Sequence, residues 1–144
     1  VEASRKTGIP PQFMVAQAAL ETGWGEKQLR HADGSPTYNL FNIKAGSAWK
    51  GDTVAREVTE YANGQAYTEP ARFRAYGSYA ESFRDYASLM TRSPRYADVL
   101  GQTDPAAFAR SLQDAGYATD PMYADKLTRI IGGNTLRNAL ALAG

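Results

Sequence analysis

One glutamate has the surroundings of a proton donor. Glu21 follows the stretch from Phe13 to Leu20, in which Gln17 is the one polar residue. Burial disfavours a charged carboxylate, and the C-terminal end of a helix carries partial negative charge, so both effects would raise the pKa of Glu21. A carboxylic acid that keeps its proton near neutral pH can protonate a leaving oxygen, the step that glycoside hydrolysis requires. We therefore expect Glu21 to act as a general acid.

A second carboxylate for this chemistry is expected from residues 53–61. This segment alternates like a strand, so Val58 and Glu60 share one face while Glu57 and Thr59 share the other. Either Glu57 or Glu60 can face a cleft, but not both together. The alternation alone leaves that choice open, and a solvated strand carboxylate is the simpler interpretation of each.

Aromatic side chains could provide surfaces for sugar rings. The chain has nine tyrosines, and Tyr117 follows Gly116 in a short connection, where a ring can be held against a sugar. Trp24, close to Glu21, is expected to form a dry wall that keeps the acid protonated. Core packing is the better interpretation for the tyrosines at helical positions, namely Tyr79, Tyr86, Tyr96 and Tyr123.

Helix signals occupy both ends of the chain. Two prolines at 10 and 11 suit a first helical turn, and the capping spacing of Ser78 with Glu81 suits another. Asp-Pro pairs at 104–105 and 120–121 mark two further starts. The predicted helices are 10–23, 78–90, 105–116, 121–132 and 134–143, after a helical tail at 1–6.

The middle of the chain predicts a loop region followed by one β-hairpin. Residues 29–50 are irregular and are expected to wall a cleft. In this region Asn39 and Asn42 are expected to bond buried backbone, with substrate contact as the alternative. Asn63-Gly64 supplies a tight hairpin turn after the strand at 53–61. Pro70 is expected to interrupt the returning strand, which should therefore be an edge or carry a bulge.

Length and composition restrict the function classes. The 144 residues fit one domain, and 16 basic against 15 acidic residues do not suggest nucleic acid as a partner. No stretch approaches the roughly 20 apolar residues of a membrane span. Without cysteine and with one histidine, disulfides and thiolate or multi-histidine metal sites are excluded. The chain does not begin with Met, and we expect a domain excised from a longer protein.

Several motifs together resemble glycoside hydrolase family 73, in order and over nearly the whole chain. The residues that carry the resemblance are 17–25 (QAALETGWG), 39–44 (NLFNIK), 59–61 (TEY), 73–76 (FRAY), 82–86 (SFRDY) and 115–127 (AGYATDPMYADKL). Within the family, the chain most resembles its flagellar members. Any one of these fragments would be a weak signal by itself.

The resemblance implies an α+β, lysozyme-like fold in one domain, residues 1–144. It would have a helical lobe, a small β-lobe at about 51–76 and a substrate groove between them. The implied activity is hydrolysis of the β-1,4 bond between N-acetylglucosamine and N-acetylmuramic acid in peptidoglycan, without a cofactor. Glu21 matches the general acid of the family, Glu60 its second carboxylate and Tyr117 a cleft tyrosine. Trp24 and Asn39 are carried as further substrate-binding candidates.

The resemblance also implies partners and a location. The substrate would be peptidoglycan glycan strands in the periplasm or cell envelope, opened for flagellar rod assembly. A domain preceding this chain would contact rod proteins. Two alternatives remain: a muramidase or lytic transglycosylase acting on the same polymer, and a non-catalytic wall-binding scaffold.

Overall fold

The computed structural model describes residues 2–143, with side chains through residue 138. This part of the chain contains six α-helices, one 3-10 helix and a two-stranded sheet. In chain order they are α1 Glu2–Thr7, α2 Pro11–Thr22, β1 Thr53–Ala62, β2 Gln65–Arg74, α3 Tyr79–Arg92, the 3-10 helix Pro94–Val99, α4 Pro105–Asp114, α5 Tyr123–Ile131 and α6 Asn134–Ala143. The predicted α+β class is confirmed. No helix in residues 2–143 has both the length and the apolar character needed to span a membrane.

Helix α2 passes through the hydrophobic core and ends where the sequence predicts. Phe13, Met14 and Ala16 are buried, and the Phe13 ring packs on Phe108 of α4 with centroids 5.1 Å apart. Gly23 ends the helix with φ +57°, and its N–H bonds the carbonyl of Ala19. The left-handed backbone conformation costs little at Gly23 because glycine has no Cβ. Glu21 is thereby fixed in the last turn of a buried helix.

The hairpin forms the second lobe. Strands β1 and β2 pair antiparallel around a turn in which Asn63 and Gly64 both have positive φ, as predicted. The expectation that the strand containing Pro70 is an edge is confirmed, because the sheet has two strands. The expected interruption is wrong, because β2 continues through Pro70, which pairs with Glu57. A two-stranded sheet leaves each strand with an open edge, which is where a proline is tolerated.

The irregular segment 29–50 connects the two lobes. Ile43 accepts a backbone hydrogen bond from Arg74, and Ala45 donates one to Arg72, so the segment is bound along the base of β2. Phe41 and Ile43 of the same segment enter the core. The loop expected to wall a cleft therefore holds the hairpin against the helices.

Two helix starts follow their predicted caps. The Ser78 hydroxyl accepts a hydrogen bond from the Glu81 N–H at 3.2 Å, and the Asp104 carboxylate accepts one from the Ala107 N–H at 2.9 Å. Both bonds satisfy amide groups that the helix itself leaves without partners.

Two other expectations about helices needed correction. Helix α5 begins at Tyr123, two residues after the expected start, because Asp120 accepts from the Met122 N–H in a turn before the helix. The Asp120 carboxylate also binds Lys126 of α5. The 3-10 helix was not predicted, and its buried residues Tyr96 and Val99 pack in the core.

Three of the four tyrosines expected in the core are buried: Tyr86, Tyr96 and Tyr123. The expectation is wrong for Tyr79, which is 42% exposed. Its ring packs edge-on against Tyr38, and its hydroxyl donates to Gln28. Tyr79 begins α3, where the helix meets the surface.

Candidate active site

A groove of about 580 Å³ lies between the helical lobe and the hairpin. Its walls are formed by the end of α2, segment 42–46, residues 58–61 of β1 and the connection 116–120, and five further residues complete the lining: Phe73, Arg74, Leu89, Arg95 and Tyr96. Glu21, Glu60 and Tyr117 all line it. The structure thus brings together three residues that lie far apart in the sequence.

Glu21 carries the raised pKa that the sequence predicts. Burial raises its pKa from 4.5 to about 7, although hydrogen bonds from Tyr123 and Asn42 act in the opposite direction. The Tyr123 hydroxyl donates to Oε2 at 2.8 Å, and the Asn42 amide donates to Oε1 at 3.1 Å. Each oxygen keeps a second lone-pair site, so the carboxyl can still carry a proton into the groove.

A buried chain of hydrogen bonds orients Glu21. Tyr86 donates to Oε1 of Gln17 at 2.6 Å, which fixes the amide so that Nε2 donates to the Tyr123 oxygen at 3.1 Å. Because that oxygen accepts from Gln17, the Tyr123 proton is directed to Glu21. Gln17 and Tyr86 are both fully buried. The polar stripe of α2 thus continues through Tyr123 of α5.

Asn42 fixes the backbone and the side chain of Glu21 together. Its amide donates to the Glu21 carbonyl at 3.0 Å as well as to the carboxylate. The carbonyl is one of those that the end of α2 leaves without a helical partner. Asn42 itself has φ +51°, a left-handed conformation that asparagine tolerates better than most residues.

Glu60 has the opposite electrostatic setting. Burial favours a higher pKa, but hydrogen bonds from Lys44 and Thr119 and the charge of Lys44 outweigh it, so the pKa of Glu60 is lowered from its usual value. Lys44 Nζ lies 2.7 Å from Oε1, and the Thr119 hydroxyl donates to Oε2 at 2.5 Å. Glu60 is therefore ionised at neutral pH.

The structure also separates Glu60 from Glu57, between which the alternation could not decide. Glu60 is 8% exposed and lines the groove. Glu57 is exposed, pairs with Pro70 of β2 and does not line the groove. Of the two glutamates of β1, Glu60 is therefore the one that faces the groove.

Tyr117 lines the groove beside Glu21, on the glycine-tipped connection that the sequence indicates. Gly116 has φ +81°, and the Tyr117 hydroxyl donates to the Phe41 carbonyl at 2.5 Å. Burial, with the charge of Glu21 as a further cause, raises the pKa of Tyr117 well above its usual value. The phenol is neutral, and the hydroxyl is used to hold the ring in place.

Trp24 does not form the dry wall expected of it. It is 46% exposed and is absent from the groove lining, because the chain reverses at Gly23 and Trp24 itself has φ +58°. Tyr123 and Tyr117 surround the acid instead: Tyr123 binds it directly, and the two ring centroids are 6.0 Å apart.

Asn39 has the structural role that the sequence favoured. It is 2% exposed, and its amide donates to the carbonyls of Ile43 and Arg74 while its oxygen accepts from the Ile43 N–H. It does not line the groove, so we assign it no contact with substrate. Its bonds hold segment 29–50 to β2.

Sequence reasoning did not find the other residues that hold the two carboxyl groups. Tyr123 was assigned to the core alone, and Lys44 and Thr119 were given no part in the site. Asn42 was expected, like Asn39, to bond backbone, and it does so at the Glu21 carbonyl. Lys44 and Thr119 meet Glu60 from positions 16 and 59 residues away, a separation that no local pattern reports. Within residues 2–138, no group of three or more acidic or histidine side chains is placed to hold a metal ion.

Comparison with protein families adds a match over most of the chain. The model of the glucosaminidase family, described as mannosyl-glycoprotein endo-beta-N-acetylglucosaminidase, matches residues 1–136. Peptidoglycan hydrolase FlgJ of Escherichia coli K12 is 51% identical over 129 residues, which are 90% of this chain. The chain spans 41% of the length of that relative.

Solved structures give the same result. A peptidoglycan hydrolase from Sphingomonas sp. A1 superposes with a TM-score of 0.89 at 55% identity, covering 99% of this chain and 87% of that one. The glycoside hydrolase domain of FlgJ from Salmonella typhimurium has a TM-score of 0.72 at 42% identity, covering 99% and 84%.

Proposed function

Because the chain belongs to the glucosaminidase family, glycoside hydrolase family 73, we propose that it cleaves peptidoglycan at the β-1,4 bond between N-acetylglucosamine and N-acetylmuramic acid. The observation that carries the proposal is the pairing of Glu21, with a pKa of about 7, and an ionised Glu60 on opposite walls of one groove. Glycoside hydrolysis uses two carboxyl groups held in opposite protonation states.

Glu21 is the general acid of the proposed reaction. Its proton passes to the glycosidic oxygen as the bond to the anomeric carbon breaks, and the departing sugar leaves as an alcohol. Half of the carboxyl population keeps this proton at a pH equal to the pKa, about 7. Tyr123 and Asn42 then stabilise the carboxylate that forms, because each donates to one of its oxygens.

Glu60 stabilises the positive charge that develops on the sugar ring and directs water to it. An ionised carboxylate across the groove acts on that charge most strongly in the transition state. Lys44 and Thr119 each occupy one site on its oxygens, which leaves further lone pairs to accept a proton from water. The same two bonds lower its basicity, so Glu60 contributes more as a fixed negative charge than as a nucleophile.

Tyr117 gives the sugar a flat surface beside the acid. The connection and the Phe41 carbonyl fix the ring, so little side-chain freedom is lost when a sugar packs on it. The proposed substrate needs such a contact because a pyranose ring presents apolar C–H groups on its faces.

The wider biological setting is also proposed. By similarity to FlgJ, the cleavage would open the periplasmic cell wall for the flagellar rod. In this proposal residues 1–144 are the hydrolase domain. Contact with rod proteins would be made by a different domain, outside this chain. Because this chain spans 41% of that relative's length, contact with rod proteins is proposed for the whole protein and not for this chain.

Digestion of purified peptidoglycan tests the function. Mass spectrometry is expected to find fragments with N-acetylglucosamine at the new reducing end. A muramic acid reducing end would indicate a muramidase, an anhydro-muramic end a lytic transglycosylase, and binding without cleavage a wall-binding module. NMR of the first-formed anomer distinguishes inversion from retention, and retention includes attack by the substrate's 2-acetamido group.

Substitution of the two carboxyl groups tests their roles. Glu21→Gln keeps the shape but cannot donate the proton, so kcat is expected to fall about 10²- to 10⁴-fold. Glu60→Gln should lose much, but not all, of the activity because the acid remains. Glu57→Gln is the matched control on the other face of β1 and should be close to wild type. Retained lysis by Glu21→Gln, with circular dichroism showing a folded protein, would refute the assignment.

A further inference from the structure

Three cationic side chains line the groove, and two of them are paired. Lys44 binds Glu60 at 2.7 Å and Arg74 binds Asp85 at 2.8 Å. Arg95 is exposed and forms no ion pair with any residue of the described part of the chain. Glu21 is partly neutral at pH 7, so it does not fully balance a positive charge in the groove. Among the three cations of the lining, Arg95 is therefore the one whose charge no neighbouring carboxylate neutralises in the described part of the chain.

Neighbouring residues hold Arg95 in place before any ligand arrives. Its guanidinium lies over the ring of Tyr96, 4.7 Å from the centroid, and Nη2 donates to the Tyr96 hydroxyl at 2.7 Å. Tyr96 is 2% exposed and belongs to the 3-10 helix, so this support is rigid. A guanidinium has five N–H donors, and this bond uses one of them. A planar acceptor such as a carboxylate can bind to the rest.

A row of tyrosine rings connects Arg95 with the acid. Tyr96 and Tyr117 have centroids 6.0 Å apart, Tyr117 and Tyr123 are separated by the same distance, and Tyr123 donates to Glu21. Arg95 therefore lies at the far end of the wall against which a sugar bound at Tyr117 would rest. Its charge acts on a neighbouring part of the same glycan strand.

The chemistry of peptidoglycan supplies one kind of anion at this place. The sugar rings carry neutral hydroxyl and acetamido groups, while each muramyl residue bears a lactyl substituent that ends in a carboxylate or in a peptide with carboxylates. We propose that Arg95 binds a carboxylate of this muramyl substituent and so favours muramyl-containing strands over uncharged glucosamine polymers. This inference rests on the proposed function, because it concerns the same groove and substrate.

The test compares binding to strands that differ only in this charge. Soluble glycan strands stripped of peptide expose the lactyl carboxylate, and coupling them to methylamine removes the charge. Affinity is measured by calorimetry in the Glu21→Gln background, where turnover is expected to be about 10²- to 10⁴-fold slower. Adding Arg95→Gln is expected to weaken binding to carboxylate strands about threefold to tenfold and to leave methylamide strands unchanged. Peptide-bearing strands show whether peptide carboxylates are bound as well.

Two controls keep the result specific. Arg92→Gln removes an exposed arginine outside the groove and should bind like the background. Arg95→Lys keeps the charge and should retain most of the affinity. Equal binding by Arg95→Gln and background to every strand, or an equal loss on carboxylate and methylamide strands, would overturn the proposal.

A variant that does not fold and a failure of the proposed function lead to different results. If Arg95→Gln does not fold, the background protein alone decides, since unchanged affinity after methylamidation overturns the inference. Failure of the proposed function gives a different result, because the unsubstituted chain would then leave peptidoglycan uncleaved whatever the binding data show.

Discussion

Opposing effects set the proton affinity of Glu21. Burial raises its pKa to about 7, and the hydrogen bonds from Tyr123 and Asn42 lower it toward the usual value. The general acid must be protonated and Glu60 ionised, so the proposed activity falls as pH rises through about 7. It also falls when the pH drops far enough to protonate Glu60, below the usual 4.5 of a glutamate.

Removing the Tyr123 hydroxyl should shift this profile. Tyr123→Phe takes away a bond that favours the ionised form of Glu21, so its pKa rises further and the basic limb of kcat/KM moves to higher pH. The measurement is the pH dependence of kcat/KM for the two proteins. Tyr67→Phe, an exposed ring on the hairpin, is the control. A basic limb that stays in place or moves down would contradict this account of Tyr123.

Stability measurements report the same pKa without using activity. A carboxyl whose pKa is 4.5 unfolded and about 7 folded binds more protons in the folded state between these values, so wild-type stability declines as pH rises through that window. Glu21→Gln does not titrate. Its unfolding free energy relative to wild type should therefore increase by about 3 kcal/mol from pH 4 to pH 8. Urea unfolding at several pH values measures this, and parallel curves would show an ordinary pKa.

At the residue scale, the sequence predicts the acid better than its partners. The apolar residues of α2 predict that Glu21 is shielded from water, and in the half-buried side chain this desolvation is the largest cause of the raised pKa. Tyr123 lies 102 residues away, and only the packing of α5 on α2 brings its hydroxyl to Oε2. Trp24 was misjudged because sequence proximity to Glu21 does not reveal that the backbone turns left-handed at Gly23 and Trp24.

Helix caps are the elements that local sequence predicts best. Ser78 and Asp104 each bond the amide three residues ahead in the chain, so spacing alone identifies them. Pro70 correctly indicates an edge strand. The interruption expected there and the helix start expected at Asp120-Pro121 are wrong for a related reason: a proline or an Asp-Pro pair restricts the chain locally, but the surrounding strand and turn decide the outcome. The 3-10 helix has no comparable signal because it is short and its buried face consists of two residues.

Loss of the Ser78 cap should destabilise the helical lobe and leave the chemistry intact. Ser78→Ala leaves the Glu81 N–H without its side-chain partner, and the expected loss is about 1 kcal/mol of unfolding free energy. Chemical denaturation measures it. Ser47→Ala, at an exposed loop position, should change neither stability nor activity. A large fall in kcat for Ser78→Ala would mean that the start of α3 also shapes the groove.

At the scale of the molecule, the two candidate carboxyl groups belong to different lobes. Glu21 is fixed in the core, and Glu60 is carried by a two-stranded hairpin with exposed edges. The hairpin is bound at its base by segment 43–45 and near its tip by Thr119, whose hydroxyl accepts from the Tyr61 N–H at 2.9 Å and donates to Glu60. One hydroxyl thus orders both the lobe and its carboxylate.

Removing that hydroxyl should loosen the hairpin. Thr119→Val keeps the side-chain shape but loses both hydrogen bonds, so amide hydrogen exchange is expected to accelerate around Tyr61 and activity to fall less than in Glu60→Gln. Exchange measured by mass spectrometry checks this. Thr68→Val, exposed on the opposite strand, is the control. Unchanged exchange at Tyr61 would show that the base alone holds the lobe.

The overall arrangement was predicted in outline. The family resemblance gave the two lobes and the groove, and the hairpin turn followed from Asn63-Gly64. The way in which the lobes meet was not predictable, because it depends on contacts between distant segments, such as the bond from Thr119 to Glu60 across 59 residues.

Asn42 bonds both the carbonyl and the carboxyl of Glu21, and this limits how far the acid can move when a glycan binds. The proton donor cannot swing toward a bound glycan without breaking the bonds that Asn42 and Tyr123 make to its two oxygens, and Asn42 is itself anchored on the Glu21 carbonyl. The polymer must therefore bend to meet the acid. Tight inhibitors of this groove would be compounds already locked in the flattened ring shape of an oxocarbenium ion, placed against an immobile hydrogen donor.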